Sequence, residues 1–313
     1  MTPRILITGA AGFIGSRVVS AALATPGVRL RLMTHRTAPD VPATTAPGSG
    51  FETVYGDLAD PASLRGSCDG VDAVIHCAAQ VGSDEPTART VNDHGTRALV
   101  DEAVRAGAGR IVQLGTAAVY GRGPFAALLP GEAEAAPASA ISLTRAAGEK
   151  HVLAAGGAVL RPHIVHGPGD RWAIPGLVAL LRYLSAAPAG CDARHSLIDV
   201  ETLGRALLGA ALAPEAPAGV YHVNHPDPVT CSELLSTVLG ELGLPWAGTE
   251  IGLDEARARL AGVPYAKHHF EMLTVDHWFA DGRVGRDLGC PPGPDFRTSF
   301  AAHAPWYREF LAR

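Results

Sequence analysis

The sequence predicts an α/β fold, a doubly wound parallel sheet followed by a smaller C-terminal lobe. Three observations carry that reading. Arg4–Thr8 is a short β-rich run that ends on a glycine turn, with apolar residues at helical spacing just beyond it. Runs of the two kinds then alternate as far as Arg161, the pattern of a parallel sheet covered by helices on its faces. After the turn His166–Asp170 the alternation loosens into helices, short strands and Pro/Gly-rich joints.

Taken in order, Arg4–Thr8 is the first strand, and Val18, Val19, Ala22 and Leu23 repeat at the period of a helix that starts after Gly15. Val28–Met33 and Val71–Cys77 read as strands, Asn92–Ala106 as a helix and Arg110–Leu114 as a strand. A Pro, Ala and Glu-rich loop, Pro124–Pro137, leads to a helix over Ser142–Ala155, and Ala158–Arg161 supplies the next strand, near which the sheet is expected to end. The nucleotide-binding domain is therefore placed at 1–167, with a contribution from about 196–222, and the substrate-binding lobe at 168–195 and 223–313. Ile174–Leu184 reads as a lobe helix with its apolar face packed inward, able to line a pocket for a flat, apolar ligand. No internal repeat or low-complexity tract interrupts the pattern.

Composition excludes several classes of function. With 26 Lys and Arg against 31 Asp and Glu the net charge is −5, and no run of basic residues offers a nucleic acid a footprint. The five cysteines, Cys68, Cys77, Cys191, Cys231 and Cys290, form no CxxC pair, so neither a disulfide framework nor a zinc site is expected. Met1 leads straight into an apolar strand, which leaves no room for a secretory leader. The nearest approach to a membrane span, Ile174 to Ala187, is broken by Pro175 and Arg182. The expectation is a cytoplasmic protein with a small-molecule substrate, no nucleic acid and no membrane. His268 and His269, with His277 nearby, lack the ligand spacing of a known metal site and read as surface or pocket-lining residues, so no metal is expected.

The segment ILITGAAGFIG places Gly9, Gly12 and Gly15 between a strand and a helix. Gly9 allows a tight turn, Gly12 lets backbone approach a pyrophosphate, and Gly15 permits close helix packing, with the helix N-terminus facing the anion. This is the Rossmann dinucleotide fingerprint in its required context. Proteins selective for NAD carry an acidic residue at the end of the second strand for the ribose 2′-hydroxyl. Here the strand runs into Thr34, His35 and Arg36. A guanidinium suits a 2′-phosphate and an absent carboxylate does not repel it, so the expected cofactor is NADPH, with Arg36 as its reader.

Further motifs follow at the right intervals: Asp57 and Leu58 in YGDL, the alanine-rich turn His76–Ala79, Asn92 and Thr96, Thr116 in GTAAVYG, and an LRP-x-x-x-x-GPG run over Leu160–Gly169. Asp199-Val200, GVYHVNHPDPVTCSELL and LGCPPGPDF continue the series. Together they resemble the extended short-chain dehydrogenase/reductases, the group of sugar-nucleotide epimerases, dehydratases and ketoreductases, over essentially the whole chain. The resemblance implies adenine contacts for Asp57 and Leu58, a carbonyl-oxygen contact for Thr116 and a nicotinamide-ribose contact at the position of Arg145. It adds Phe13, Ile14, Ala78 and Pro162 to the cofactor contacts, and it implies dimerisation through helices near residues 93–106 and 142–155.

The departure lies at the catalytic element. The group carries Tyr-x-x-x-Lys on the helix after the Pro-rich loop, and aligning PASAISLTRAAGEK on its Gly-Glu puts Ile141 at the Tyr position and Arg145 at the Lys position. No Tyr occurs between Tyr120 and Tyr183 to repair this. Isoleucine does no acid or base work, and Arg145, with a pKa above about 12, is a poor proton donor; its plain structural role is to pair with Glu149 one turn on. Loss of a positioned acid costs on the order of 10² to 10⁴ in rate, which another oxyanion donor or the substrate itself can offset. Tyr120, His163 and His166 are the nearby candidates, with Tyr120 and His166 read as structural. A ketone with a neighbouring phenol can deliver its own proton, with Ile141 lining the substrate side. The combination is similar to the atypical ketoreductases of aromatic polyketide biosynthesis, and that resemblance implies NADPH-dependent reduction of a ring carbonyl of an angucyclinone-like substrate in antibiotic assembly. The alternatives are a catalytically degenerate NADP(H)-binding sensor or scaffold, and a sugar-nucleotide ketoreductase or epimerase.

Overall fold

The computed structural model describes residues 2–41, 46–82, 84–246 and 248–313. A 7-stranded sheet forms the larger half, in the order β12-β7-β5-β4-β1-β2-β3. Its strands are β1 (Arg4–Thr8), β2 (Arg29–Thr34), β3 (Gly50–Tyr55), β4 (Ala73–His76), β5 (Arg110–Leu114), β7 (Ala158–Arg161) and β12 (Gly219–His222). Every pairing in it is parallel. Ile5, Leu6 and Ile7 are each 0% exposed, because a parallel strand covered on both faces needs a continuous apolar run rather than an alternating one. Each such side chain contributes about 1.5–3 kcal/mol by leaving water.

Helices cover both faces. α1 (Gly15–Leu23) and α6 (Val200–Leu212) pack side by side on one face, with Val18, Val19, Leu203 and Leu207 in the shared core. On the other face lie α2 (Glu85–Arg89), a widened π turn over Thr90–Gly95, α3 (Thr96–Arg105) and α4 (Ala140–Ala154). The helix expected over Asn92–Ala106 is thus shorter and begins in that wide turn, where Asn92 donates to Gln80 O and accepts from Gln80 N. α4 starts two residues earlier than its apolar pattern indicates, because Ser139 and Ser142 cap each other's backbone at its first turn.

The sheet corrects the sequence reading twice. It does not end near Arg161, since β12 adds beyond β7, and β3 was not anticipated. β3 is an edge strand whose large apolar residues, Phe51 and Tyr55, are 47% and 58% exposed, so it has no buried face to leave a period in the sequence. The Pro124–Pro137 loop likewise contains a short strand, β6 (Phe125–Leu128).

The smaller half holds β8 (Ile164–His166) paired with β11 (Leu197–Asp199), β9 (Ala187–Pro188) paired with β14 (Glu250–Ile251), and a sheet of β13 (Val229–Thr230), β10 (Arg194–His195), β15 (His277–Phe279) and β6. Around them stand α5 (Ala173–Leu184), α7 (Cys231–Leu242), α8 (Leu253–Arg259), α9 (Pro264–Leu273), α10 (Val284–Asp287) and α11 (Phe296–Leu311). α5 buries Ile174, Val178, Leu181 and Leu184 in the core of this half, with α9 and β8 beside it, the inward face expected of it. Cys191 and Cys231 form a disulfide with a Cα–Cα distance of 5.4 Å. This corrects the expectation of unpaired cysteines: 40 residues of chain separate them, but Cys231 N donates to Ala193 O and Ser232 N to Cys191 O, which brings the two thiols together. No helix among the described residues is long and apolar enough to cross a membrane.

Candidate active site

The strand order reverses between β1 and β4, and the crevice outside the carboxyl ends of the strands at such a switch point is where an open α/β sheet binds its ligand. Gly9 lies there with φ +67, and a Cβ on it would come within 2.7 Å of Ala78 N. Gly15 begins α1 so close to the turn that a Cβ would lie 2.1 Å from Gly9 O. No other residue type fits either place. Among the described residues, the amides of Ala11, Phe13 and Ile14 donate to no backbone carbonyl of the loop, whereas Gly12 N is spent on Gly9 O at 2.9 Å. Bare amides at a helix N-terminus fit a pyrophosphate. Thr8 Oγ1 meets His76 Nδ1 at 2.7 Å and accepts from Ala78 N at 3.2 Å, while His76 Nε2 meets Thr96 Oγ1 at 3.0 Å, so β1, β4 and α3 hold the cradle rigidly. Burial lowers His76 to about 4, which keeps this network neutral.

At the adenosine end, His35 and Arg36 stand exposed beyond β2 with no carboxylate at that strand's end. Asp57 turns toward them: its Oδ2 lies 3.2 Å from His35 Nε2, and its Oδ1 accepts from Ala59 N at 2.8 Å. The His35 pairing had no signal in the sequence. Leu58 is 7% exposed and packs against Gly95, so its side chain belongs to the core.

Thr116 follows β5 and starts a short 3-10 turn, its Oγ1 accepting from Ala118 N at 3.2 Å, and among the described residues its hydroxyl hydrogen has no acceptor. Ile141 sits half-buried in the first turn of α4, one turn before Arg145 and on the same face. Arg145 does not pair with Glu149 as expected. Its Nη2 donates to Leu114 O at 2.6 Å and to Gly115 O at 3.1 Å, anchoring the guanidinium at the end of β5. Glu149 is taken by Arg161, whose Nε and Nη2 reach Glu149 Oε2 at 2.9 and 2.7 Å, and the remaining Oε1 accepts from Thr116 N at 3.3 Å. The competition is decided by geometry, since Arg161 on the neighbouring β7 presents two parallel donors to one buried carboxylate. Burial lowers the pKa of Arg145, opposed by the nearby Glu149. Cys77, behind it, is pushed up to about 12 by burial and stays a thiol.

The remaining candidates separate cleanly. Tyr120 accepts from Arg161 Nη1 at 2.7 Å and lies 2.7 Å from His222 Nε2, so its hydroxyl is fully used; burial raises its pKa. His166 is 1% exposed among Phe296, Phe300 and His303. Both are packing residues, as the sequence reading has them. His163 is different: it leaves β7 beside Thr116, because Ala117 N donates to Pro162 O at 2.8 Å, and the residue is half-buried. It stacks on His195, which the sequence did not connect with the site, and on His277, which the sequence placed at the surface or lining a pocket and which is 2% exposed because β15 carries it into the lobe sheet. No spacing could have made that connection; β10 and β15 pair in register at those two residues only after the lobe has folded.

A cavity of about 440 Å³ lies away from the glycine loop, lined by Asp199, His222, Asn224, Asp281 and Pro291–Pro294. Among the described residues no group of three His, Cys, Asp or Glu is placed to hold a metal ion. The side chain of His268 lies outside the described residues.

Residues 5–179 match the family described as NAD dependent epimerase/dehydratase. The chain is 29% identical to a 2-alkyl-3-oxoalkanoate reductase of Stenotrophomonas maltophilia, over 92% of this chain and 94% of the relative. It is 33% identical to a dTDP-glucose 4,6-dehydratase of Streptomyces niveus, over 98% and 93%. Among solved structures, the Bordetella bronchiseptica enzyme WbmH in complex with NAD+ superposes with a TM-score of 0.75 at 23% identity, covering 99% of this chain and 100% of that one. At that identity the likeness is one of fold.

Proposed function

We propose a reaction on one premise: the chain belongs to the NAD-dependent epimerase/dehydratase family. The reaction is NADPH-dependent reduction of a ring carbonyl in a hydroxylated aromatic ketone of the polyketide type, without an acid from the protein. A single observation carries the reading: a cofactor crevice with every backbone feature in place has Ile141 where a proton donor is otherwise expected. Arg36 and His35, with no carboxylate at the end of β2, support a 2′-phosphate and hence NADPH.

When bound, the nicotinamide supplies a hydride to the carbonyl carbon. The chain's own residues hold the substrate oxygen and keep water away. Thr116 offers its uncommitted hydroxyl to that oxygen. Arg145, fixed on Leu114 O and Gly115 O, keeps Nε and Nη1 for the ribose. Ile141 gives the substrate an apolar wall. Trp172, 63% exposed beside Gly82, and Val81, 46% exposed, flank the mouth of the crevice with surface suited to a flat ring system. The proton comes from a phenol next to the carbonyl in the substrate; its ordinary pKa of about 10 matches the missing tyrosine. The resulting phenolate then takes a proton from water.

A sugar-nucleotide substrate is the second reading, favoured by the 33% identity with the Streptomyces niveus dehydratase. Dehydration and epimerisation require proton abstraction from carbon as well as hydride transfer, so Ile141 weighs more heavily against them than against a reduction. The test is NADPH consumption by the purified protein with a panel of hydroxylated aromatic ketones, beside dTDP-glucose with NAD+. The reading requires turnover of the ketones, with NADPH preferred over NADH. Turnover of the nucleotide sugar alone, or cofactor binding with no turnover at all, refutes it, the last outcome favouring a sensor or scaffold.

A further inference from the structure

We propose that His163 is the hydrogen-bond donor that polarises the reacting carbonyl, an assignment that rests on the reductase reading above. Three imidazoles lie in nearly parallel planes in the lobe, at similar distances from one another. The centroids of His163 and His195 are 6.1 Å apart, those of His163 and His277 5.5 Å, and those of His195 and His277 6.2 Å, with interplanar angles of 15, 11 and 6°. Two of the three are anchored and closed off. His195 Nε2 donates to Leu273 O at 2.8 Å, His277 Nδ1 donates to Val275 O at 2.9 Å, and both residues are 2% exposed.

His163 is half-buried and not anchored at its ring. Among the described residues no protein group meets either of its ring nitrogens, although Asn224 Oδ1 pins its backbone N–H at 2.9 Å and Phe279 packs on it at 5.4 Å. A polar ring held in a fixed plane without partners is the exception among largely buried groups and calls for a ligand. Its position supplies one. Gly115 N donates to Leu160 O at 2.7 Å and Ala117 N to Pro162 O at 2.8 Å, so His163 and Thr116 emerge side by side at the carboxyl ends of neighbouring strands.

The environment also sets the form of the ring. Burial, reinforced by His195 and His277, holds His163 well below the ordinary histidine range. At neutral pH it is an imidazole with one N–H, which is a donor to developing negative charge rather than a source of protons. As the carbonyl carbon accepts hydride, the C=O π pair moves onto oxygen and the His163 N–H···O bond shortens. The proton that completes the alcohol comes from the substrate's phenol, and His163 ends with the N–H it began with.

The test compares wild-type protein with His163→Phe, which keeps a ring in the stack but has no N–H, and with His163→Gln, which restores a donor. His163→Phe is expected to lower kcat about 100-fold while KM changes about threefold or less, and His163→Gln to recover about tenfold of the loss. A second readout needs no turnover. In the dead-end complex with NADP+, the infrared carbonyl stretch of a hydroxylated aromatic ketone is lower in the wild type than in His163→Phe. His163→Leu is made in parallel, and the comparison is read on whichever variant keeps wild-type NADP+ affinity. Unchanged kcat and an unchanged carbonyl frequency overturn the assignment to His163. Failure of the wild type to reduce any ketone overturns the reductase reading, and the assignment with it.

Discussion

The turn from Gly9 to Gly15 presents the bare amides of Ala11, Phe13 and Ile14 at one end of the crevice, while Thr116, Ile141 and His163 present side chains at the other. The first set lies within seven residues of chain and is enforced by contact: a Cβ on Gly15 would lie only 2.1 Å from Gly9 O, which leaves no room for one. The second set comes from three segments that meet only in the folded protein, with His195 and His277 added from two more. A local site fixed by sterics tolerates no change, whereas an assembled site can lose one member and keep its shape, as the replacement of the expected tyrosine by Ile141 illustrates. Substitutions at the two ends should therefore differ in severity.

The largest effect is expected from Gly15→Val. Its side chain collides with Gly9 O, the first turn of α1 shifts, and NADP+ affinity should fall about 1,000-fold or more, ~4 kcal/mol, by titration calorimetry. Wild-type affinity would mean that the loop is not enforced by contact. Next is Glu149→Gln, which leaves Arg161 as a buried cation without its carboxylate. Breaking a buried pair in this way costs about 3–5 kcal/mol, visible as a lower urea midpoint at pH 7. A midpoint equal to that of the wild type would remove the pair from the account of how Thr116 is held.

Acid is a third probe. Burial holds His76, His166 and His195 each at about 4 in the folded chain, against 6.5 for a free histidine. Between those values the unfolded chain binds protons that the folded chain refuses, so stability is complete above pH 6.5 and falls as pH drops toward 4. With on the order of 2–3 kcal/mol per histidine, the urea midpoint should decline steeply below pH 6. A flat profile from pH 7 to 4.5 would contradict it. The smallest effect is expected from Arg36→Ala, which lies on an exposed loop. Removing a charge-assisted contact to a 2′-phosphate should weaken NADPH binding about ten- to 100-fold, or ~1.5–3 kcal/mol, and leave NADH binding unchanged.

What was legible in the sequence follows the same division. β1, the glycine turn, α1, β5 and β7 were all visible because buried runs and forced glycines are local signals. β3 was hidden because its apolar residues face solvent, and β12, whose segment was assigned to the nucleotide-binding domain, was not read as a sheet strand because the lobe's elements intervene before the chain returns. The Cys191–Cys231 disulfide and the partner of Glu149 were misread for one reason: each is decided by a residue distant in sequence. Arg145 was identified as a replacement, but its anchorage on Leu114 O and Gly115 O depends on how α4 meets β5. The histidine stack was the least legible, since its register exists only in the β10–β15 pairing.

In the proposed reaction the substrate's own phenol replaces the proton donor that Ile141 cannot be. Its most direct test is the rate of NADPH oxidation with a pair of aromatic ketones, one carrying a phenol beside the carbonyl and the other the same phenol as its methyl ether. The account predicts reduction of the phenol and a rate at least about 100-fold lower for the ether, the value of a positioned acid. Equal rates for the two ketones would show that the proton comes from elsewhere and contradict the account.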